Sequence, residues 1–191
     1  MAENKVKFGL NNVYVAKITE ENGNITYGTP FRIPGAVNLS ADPDGDMTPF
    51  YADNVKYYIA NANNGYSGDL EIALVPKQFK IDILGQREDT NGALVESSED
   101  KVSSFALMGE IDGDEKKRRF VYYNCTAKRA STTAKTTENS KDPQTEKLNI
   151  TMAPRTSDNL VKSTLEPSST NKTVYDAFFT EVFEPTISQS V

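Results

Sequence analysis

Apolar side chains in this chain recur mostly at every second position, in short runs punctuated by Gly, Pro, Asn and Asp. A period of two marks β-strands with one buried face. Val13 to Thr19 is the first such run, and the Asn-Gly turn within Glu21 to Asn24 predicts a tight hairpin into Ile25 to Ile33. Ala36 to Ala41 follows, with Val37 and Leu39 alternating, and DPDGD at Asp42 to Asp46 predicts a turn. Met47 to Asn61, where Val55, Tyr57 and Ile59 alternate, predicts a long hairpin or loop projecting from the body. Leu70, Ile72 and Leu74 then form the expected buried side of another strand. Ser104 to Ile111 and Arg118 to Ala127 predict a hairpin, with Phe120 and Tyr122 on one face and Val121, Tyr123 and Cys125 on the other. Lys147 to Ala153 resumes the alternation through Leu148, Ile150 and Met152.

Two segments break the period. In Pro76 to Gly85, Phe79, Ile81 and Ile83 alternate as in a strand, while Phe79 and Ile83 also lie one helical turn apart. Proline at the start and glycine just past the end are helix punctuation, so a short helix covering a sheet edge is expected. Near the C-terminus, Tyr175, Phe178, Phe179, Val182 and Phe183 fall at helical spacing, and that apolar face can dock on its own body or on a neighbour. Arg87 to Asp100 reads as a charged loop with a possible strand at Ala93 to Glu96. Lys128 to Glu146 is poor in apolar residues and reads as a mobile loop, and Pro154 to Lys172 as a second polar stretch.

These elements predict a mainly β protein: an antiparallel β-sandwich or half-barrel with one flanking α-helix, long loops and flexible terminal arms. The 191 residues fit a single domain over 1–191, with an N-terminal arm at about 1–12, the mobile loop at about 128–146 and a C-terminal segment at about 172–191. No apolar run is long enough to span a bilayer, and the polar start MAENKVKFG lacks the apolar segment of a signal peptide, so a protein made and kept in the cytoplasm, or released by lysis, is expected.

Composition removes most chemistry. There is no His, which takes away the commonest general base and metal ligand and excludes Ser-His-Asp and Cys-His arrangements. The single Cys125 cannot form an intramolecular disulfide and reads as a small buried side chain. The formal charge of -6 disfavours ordinary nucleic-acid binding, though it does not disfavour a surface past which DNA slides without sticking. Asp42, Asp44, Gly45 and Asp46 resemble the start of a calcium loop, but position twelve would be Asp53, and a plain turn is the simpler reading. Asp112, Asp114 and Glu115 read as a solvated hairpin tip. The basic run Lys116 to Arg119 beside Tyr122 and Tyr123 is offset by those acids. Asp69 and Glu71 could be taken for a glycosidase pair, but two residues apart on a strand they are the polar face opposite Leu70 and Ile72. No catalytic residue, metal or cofactor is expected.

Several collinear blocks resemble a known family. They are Lys5 to Thr19 (KVKFGLNNVYVAKIT), Ile33 to Val37 (IPGAV), Asp44 to Asn54 (DGDMTPFYADN), Asn64 to Pro76 (NGYSGDLEIALVP), Phe79 to Gly85 (FKIDILG), Tyr123 to Arg129 (YNCTAKR), Val174 to Phe179 (VYDAFF) and Phe183 to Pro185 (FEP). In order and combination they are similar to the major tail proteins that build the tail tube of long, non-contractile-tailed bacteriophages. That resemblance implies a self-assembling virion subunit that forms stacked hexameric rings, a conduit for double-stranded DNA. Its implied partners are further copies of itself, the tape measure protein, and tail terminator and distal tail proteins, with no membrane. Asp69 and Glu71 are then candidates to face the lumen. A tube subunit of a domesticated or defective phage tail, and a calcium- or carbohydrate-binding β-sandwich module, are the competing readings.

Overall fold

The structure, a computed structural model, describes residues 9–21, 23–45, 47–52, 54–112, 116–131, 136 and 144–186, with the side chains of 47–52, 56 and 58–61 also outside the description. In chain order the elements are β1 (Leu10–Glu21), β2 (Asn24–Tyr27), β3 (Phe31–Arg32), β4 (Ala36–Leu39), β5 (Asp42–Asp44), β6 (Met47–Ala52), β7 (Val55–Asn61) and β8 (Gly65–Ile72). There follow α1 (Lys77–Asp82), β9 (Arg87–Glu88), β10 (Leu94–Val95), β11 (Phe105–Ile111), β12 (Arg118–Ala127), β13 (Glu146–Ala153), β14 (Lys162–Leu165) and α2 (Lys172–Ala177).

One antiparallel sheet carries the fold. Its path runs β2-β1-β11-β12-β13-β8-β4, with β3 also on β1, β5 on β8 and β14 on β12. β4 comes back close to β1, so the sheet curls into a half-barrel. Inside lies the larger core, where Val13, Val15, Leu70, Ile72, Leu107 and Leu148 meet. The short helix expected here forms as α1, and it enters this core instead of only covering a sheet edge, with Phe79 fully buried edge-on to Phe105 at 5.5 Å between ring centroids. Gly85, just beyond α1, has φ +78, and a Cβ there would sit 2.6 Å from the Lys101 carbonyl oxygen, so glycine is required at this turn.

The central strands β1, β11 and β12 are apolar on both faces, and the second face makes a second core from Ala16, Ala106, Met108, Val121 and Tyr123. The chain's own C-terminal segment covers it with Phe178 and Val182. α2 stops at Ala177, shorter than the helical spacing suggested, and the following aromatics seat themselves from turns.

Other expectations are corrected. Register between β11 and β12 shifts, with Leu107 opposite Tyr122 but Phe105 opposite Cys125, so β12 holds an extra residue. That bulge swaps parity and puts Cys125 in the inner core with Phe120 and Tyr122, not with Val121 and Tyr123. Asp42 to Asp44 is not a turn but the strand β5, laid against Ser67 to Gly65. Leu74 lies past the end of β8 and is 65% exposed. Val37 on β4 is likewise exposed, and so are Val55 and Tyr57 on β7, which among the described residues pairs only with β6. Ile25 to Ile33 splits into β2 and β3, and the expected arm contributes Leu10 to Asn12 to β1. β14 lies within the stretch read as polar loop. Asp46, Asp53, residues 1–8 and 113–115, and most of the Lys128 to Glu146 loop lie outside the described residues.

Candidate lumen-facing surface

β8 alternates strictly: Tyr66, Leu70 and Ile72 point into the half-barrel, which leaves Ser67, Asp69 and Glu71 on the outer face. Register partners share a face, so the neighbouring strands extend this surface. On β13 the partners are Thr151, Asn149 and Lys147. On β4 Asn38 stands opposite Glu71, and on β5 Asp42 stands opposite Ser67 and Asp44 opposite Gly65. Four carboxylates and one ammonium therefore share an outer face whose remaining members are hydroxyls, amides and glycine.

Local bonds hold the two central acids. Asn149 Nδ2 donates to Asp69, and Thr145 Oγ1 donates to Glu71. The backbone N–H of Asp69 donates to Ser40 Oγ at 3.0 Å, and Ser40 returns a backbone N–H to the Asp69 carbonyl at 2.9 Å. Lys147 lies directly across from Glu71, the opposite-charge arrangement that suits a cross-strand pair. Asp69 and Glu71 thus share one face, as the period of two predicted. Asp42 and Asp44, read as a turn or an incomplete calcium loop, belong to that same face through β5. Among the described residues no group of three or more His, Cys, Asp or Glu side chains is placed to hold a metal ion.

The sole thiol is withdrawn from the surface. Cys125 is fully buried, its thiol pushed well above the ordinary range by desolvation, and Sγ faces the Tyr122 carbonyl at 3.8 Å. Burial also raises the Tyr122 and Tyr123 phenols to about 12. No described helix is long and apolar enough to cross a membrane.

Residues 2–189 match a family model described as phage tail tube protein. The chain belongs to that family. As a phage tail tube protein it is a structural component of the virion and not an enzyme. Solved structures similar to it include two from an anti-feeding prophage. The anti-feeding prophage cap, a tube terminating cap, shares 10% identity at a TM-score of 0.48, with 85% of this chain and 93% of that chain covered. The six-fold symmetrised anti-feeding prophage baseplate shares 12% identity at 0.46, covering 86% and 97%. No curated protein matches the chain.

In this tail tube protein two arginines, away from the acidic face, anchor the C-terminal segment through ion pairs and ring contacts. Arg155, only 7% exposed, forms a bidentate pair with Asp158 at 2.6 Å for both contacts and a second with Glu184 at 2.7 and 2.8 Å. It also donates to the Tyr27 hydroxyl at 3.2 Å and lies 4.7 Å from the Tyr123 ring centroid. Arg119 pairs with the buried Glu110 at 2.8 Å, donates to the Tyr175 carbonyl and stacks on the Tyr175 ring at 3.8 Å. Together they fasten both ends of the C-terminal segment over the second core. The sequence offered no local signal for Arg155, because Glu184 and Tyr27 are far from it along the chain.

Proposed function

We propose that this tail tube protein assembles into stacked hexameric rings that form the tail tube of a long, non-contractile-tailed phage, through which the genome passes during ejection. The observation that carries the reading is the outer face of β5, β8 and β13, with Asp42, Asp44, Asp69 and Glu71 against the single Lys147. A bore that must release DNA has to avoid fixed cations, since every phosphate they neutralise frees counterions and makes the duplex adhere. This face fits that requirement and is our candidate for the lumen. Edge strands β2 and β14 each pair on one side only, and the β6–β7 ribbon pairs with nothing else among the described residues, so unpaired backbone is available to neighbouring copies. Tape measure, tail terminator and distal tail proteins are the further partners, and assembly takes place in the host cytoplasm before the tube becomes part of the virion.

The test is electron microscopy of the assembled protein together with phage carrying Asp69→Lys and Glu71→Lys. The expected results are six-fold rings, an on-balance acidic bore, and tails of normal form that eject DNA slowly or not at all. Normal ejection through normal tails removes these two residues from the lumen, and a map with a predominantly basic bore ends the electrostatic reading.

A further inference from the structure

An asparagine side chain can react with the backbone nitrogen of the next residue, and a following glycine favours this because it has no side chain to obstruct the approach. The chain has Asn-Gly at 22–23, 64–65 and 91–92. Asn22 lies outside the described residues, and the fold treats the other two oppositely. Asn64 stands at the root of β8. Its N–H donates to the Asp44 carbonyl at 2.8 Å, and the Gly65 N–H is taken by Asn63 Oδ1 at 3.2 Å. Gly65 is buried, and a Cβ there would collide with the Met152 carbonyl, so the backbone is pressed against β13 and has no room to pivot.

Asn91 and Gly92 lie in the exposed turn between β9 and β10. Gly92 has φ +85, and a Cβ built on it would meet nothing closer than Glu88 Oε1 at 3.6 Å. One residue organises the turn. Asp89 Oδ1 accepts from the N–H groups of Asn91 at 2.9 Å and Ala93 at 2.7 Å, Oδ2 accepts from Asn91 Nδ2 at 3.2 Å, and the Asp89 carbonyl accepts from the Gly92 N–H at 3.1 Å. The bonds to the carboxyl, that from Ala93 foremost, hold it below its ordinary value. Asp89, Asn91, Gly92 and Ala93 are all exposed, so water competes for each of these bonds.

We propose that Asn91 is a site of spontaneous modification in the folded protein, the Gly92 nitrogen attacking the Asn91 side-chain carbonyl carbon to close a five-membered imide. The new bond replaces the one to Nδ2, which leaves as ammonia with the proton of the Gly92 N–H. Water then opens the imide at either carbonyl, giving aspartate or an isoaspartate whose main chain runs through Cβ. Both reacting groups are held by Asp89 and must be released before they meet, so Asp89 is the brake on the step. The aspartate product sets a carboxylate where Nδ2 had donated, against Asp89 Oδ2, and two like charges at that distance repel. The isoaspartate product lengthens the main chain of a turn whose span Asp89 fixes. Conversion is therefore a one-way switch that loosens the β9–β10 hairpin, and in a virion subunit, which is not renewed after assembly, it accumulates with age.

The test is peptide mass spectrometry of the full-length protein held in warm, mildly alkaline buffer. Conversion at Asn91 should be several-fold faster than at Asn64, and the two rates should converge in denaturant, where the fold no longer shields Asn64. Equal rates in the folded protein would overturn the proposal. So would a preference that persists in denaturant, since it would belong to the local sequence and not to the structure. Asp89→Ala should speed conversion at Asn91 several-fold and leave Asn64 unchanged, the latter reporting that the body is intact; an unaltered rate at Asn91 would remove Asp89 as the brake. Made directly, Asn91→Asp should be cleaved by protease within 87–96 several-fold faster than Asn91→Ser, which loses the donor without adding a charge. Equal cleavage of these two variants would rule out the charge switch.

Discussion

Arg155 illustrates how much a single residue can do without any local mark in the sequence. It sits in a stretch read as polar loop, yet its guanidinium bridges Asp158, Glu184 and Tyr27 and so joins a turn, the C-terminal segment and β2. Nothing at positions 154–160 encodes those long-range partners. Cys125 is the opposite case: its burial was legible from composition and alternation, and only its face was misassigned, because one extra residue in β12 leaves no compositional trace. Arg155→Ala should cost about 1–3 kcal/mol, since its carboxylates stay partly exposed and regain water when the cation is removed. Thermal unfolding should show a drop of several degrees, and Arg155→Lys should recover only part of it, because a lysine cannot bridge two carboxylates bidentately. The pairing has a pH signature. Hydrogen bonds from Arg155 hold the Asp158 carboxyl below its ordinary value of 3.8, so this stabilisation is in full force above that value and is lost as the pH falls below it. An acid titration of wild type against Asp158→Asn should show the difference in stability shrinking in that range.

At the scale of elements, the strands whose alternation serves a buried face were legible, and the departures have physical reasons. β8 and β13 match their patterns because one face is core and the other solvent. β7 carries the same period of two, yet Val55 and Tyr57 are exposed, so alternation there signalled a strand without signalling burial. β11 and β12 are apolar on both faces, and the sequence could not say that the second face is covered by the chain's own end. α1 was decided by its terminal Pro and Gly, whereas α2 has neither mark and ends at Ala177, before the aromatics that follow. The two cores should separate experimentally. Phe79→Ala removes a fully buried ring from the inner core and should cost about 3–5 kcal/mol, a large part of a typical domain's stability. Phe178→Ala strips the cover from the second core, so its first effect should be local: cleavage of the C-terminal segment by protease at denaturant concentrations where the sheet still holds. If instead both variants lost all structure in one coincident transition, the C-terminal segment would be an inseparable part of a single cooperative unit.

For the whole molecule, the same outer surface of one sheet is used twice. Over β1, β11 and β12 it is apolar and closed by the C-terminal segment; over β13, β8 and β5 it is polar and acidic. Sequence reasoning found Asp69 and Glu71 from spacing within one strand. It missed Asp42 and Asp44 because their membership depends on a pairing between segments some twenty residues apart. If this face lines the bore, its charge rather than any single residue governs passage, and the consequence is quantitative. Duplex affinity for a cationic surface falls with log salt at a slope of about 0.9 per phosphate neutralised. Wild-type tubes, offering Lys147 among four acids on this face, should retain essentially no double-stranded DNA even at low salt. Tubes carrying Lys at positions 42, 44, 69 and 71 should retain it strongly, with a steep salt slope. The slope should grow as the substitutions are added one at a time. The same four changes placed on a surface outside the bore would bind DNA on the tube exterior, so accessibility to nuclease separates the cases: duplex held in the bore should be protected, and duplex held outside should be digested. Full digestion would show that the acidic face looks outward, and the charge argument for the lumen would then have to be abandoned for these residues.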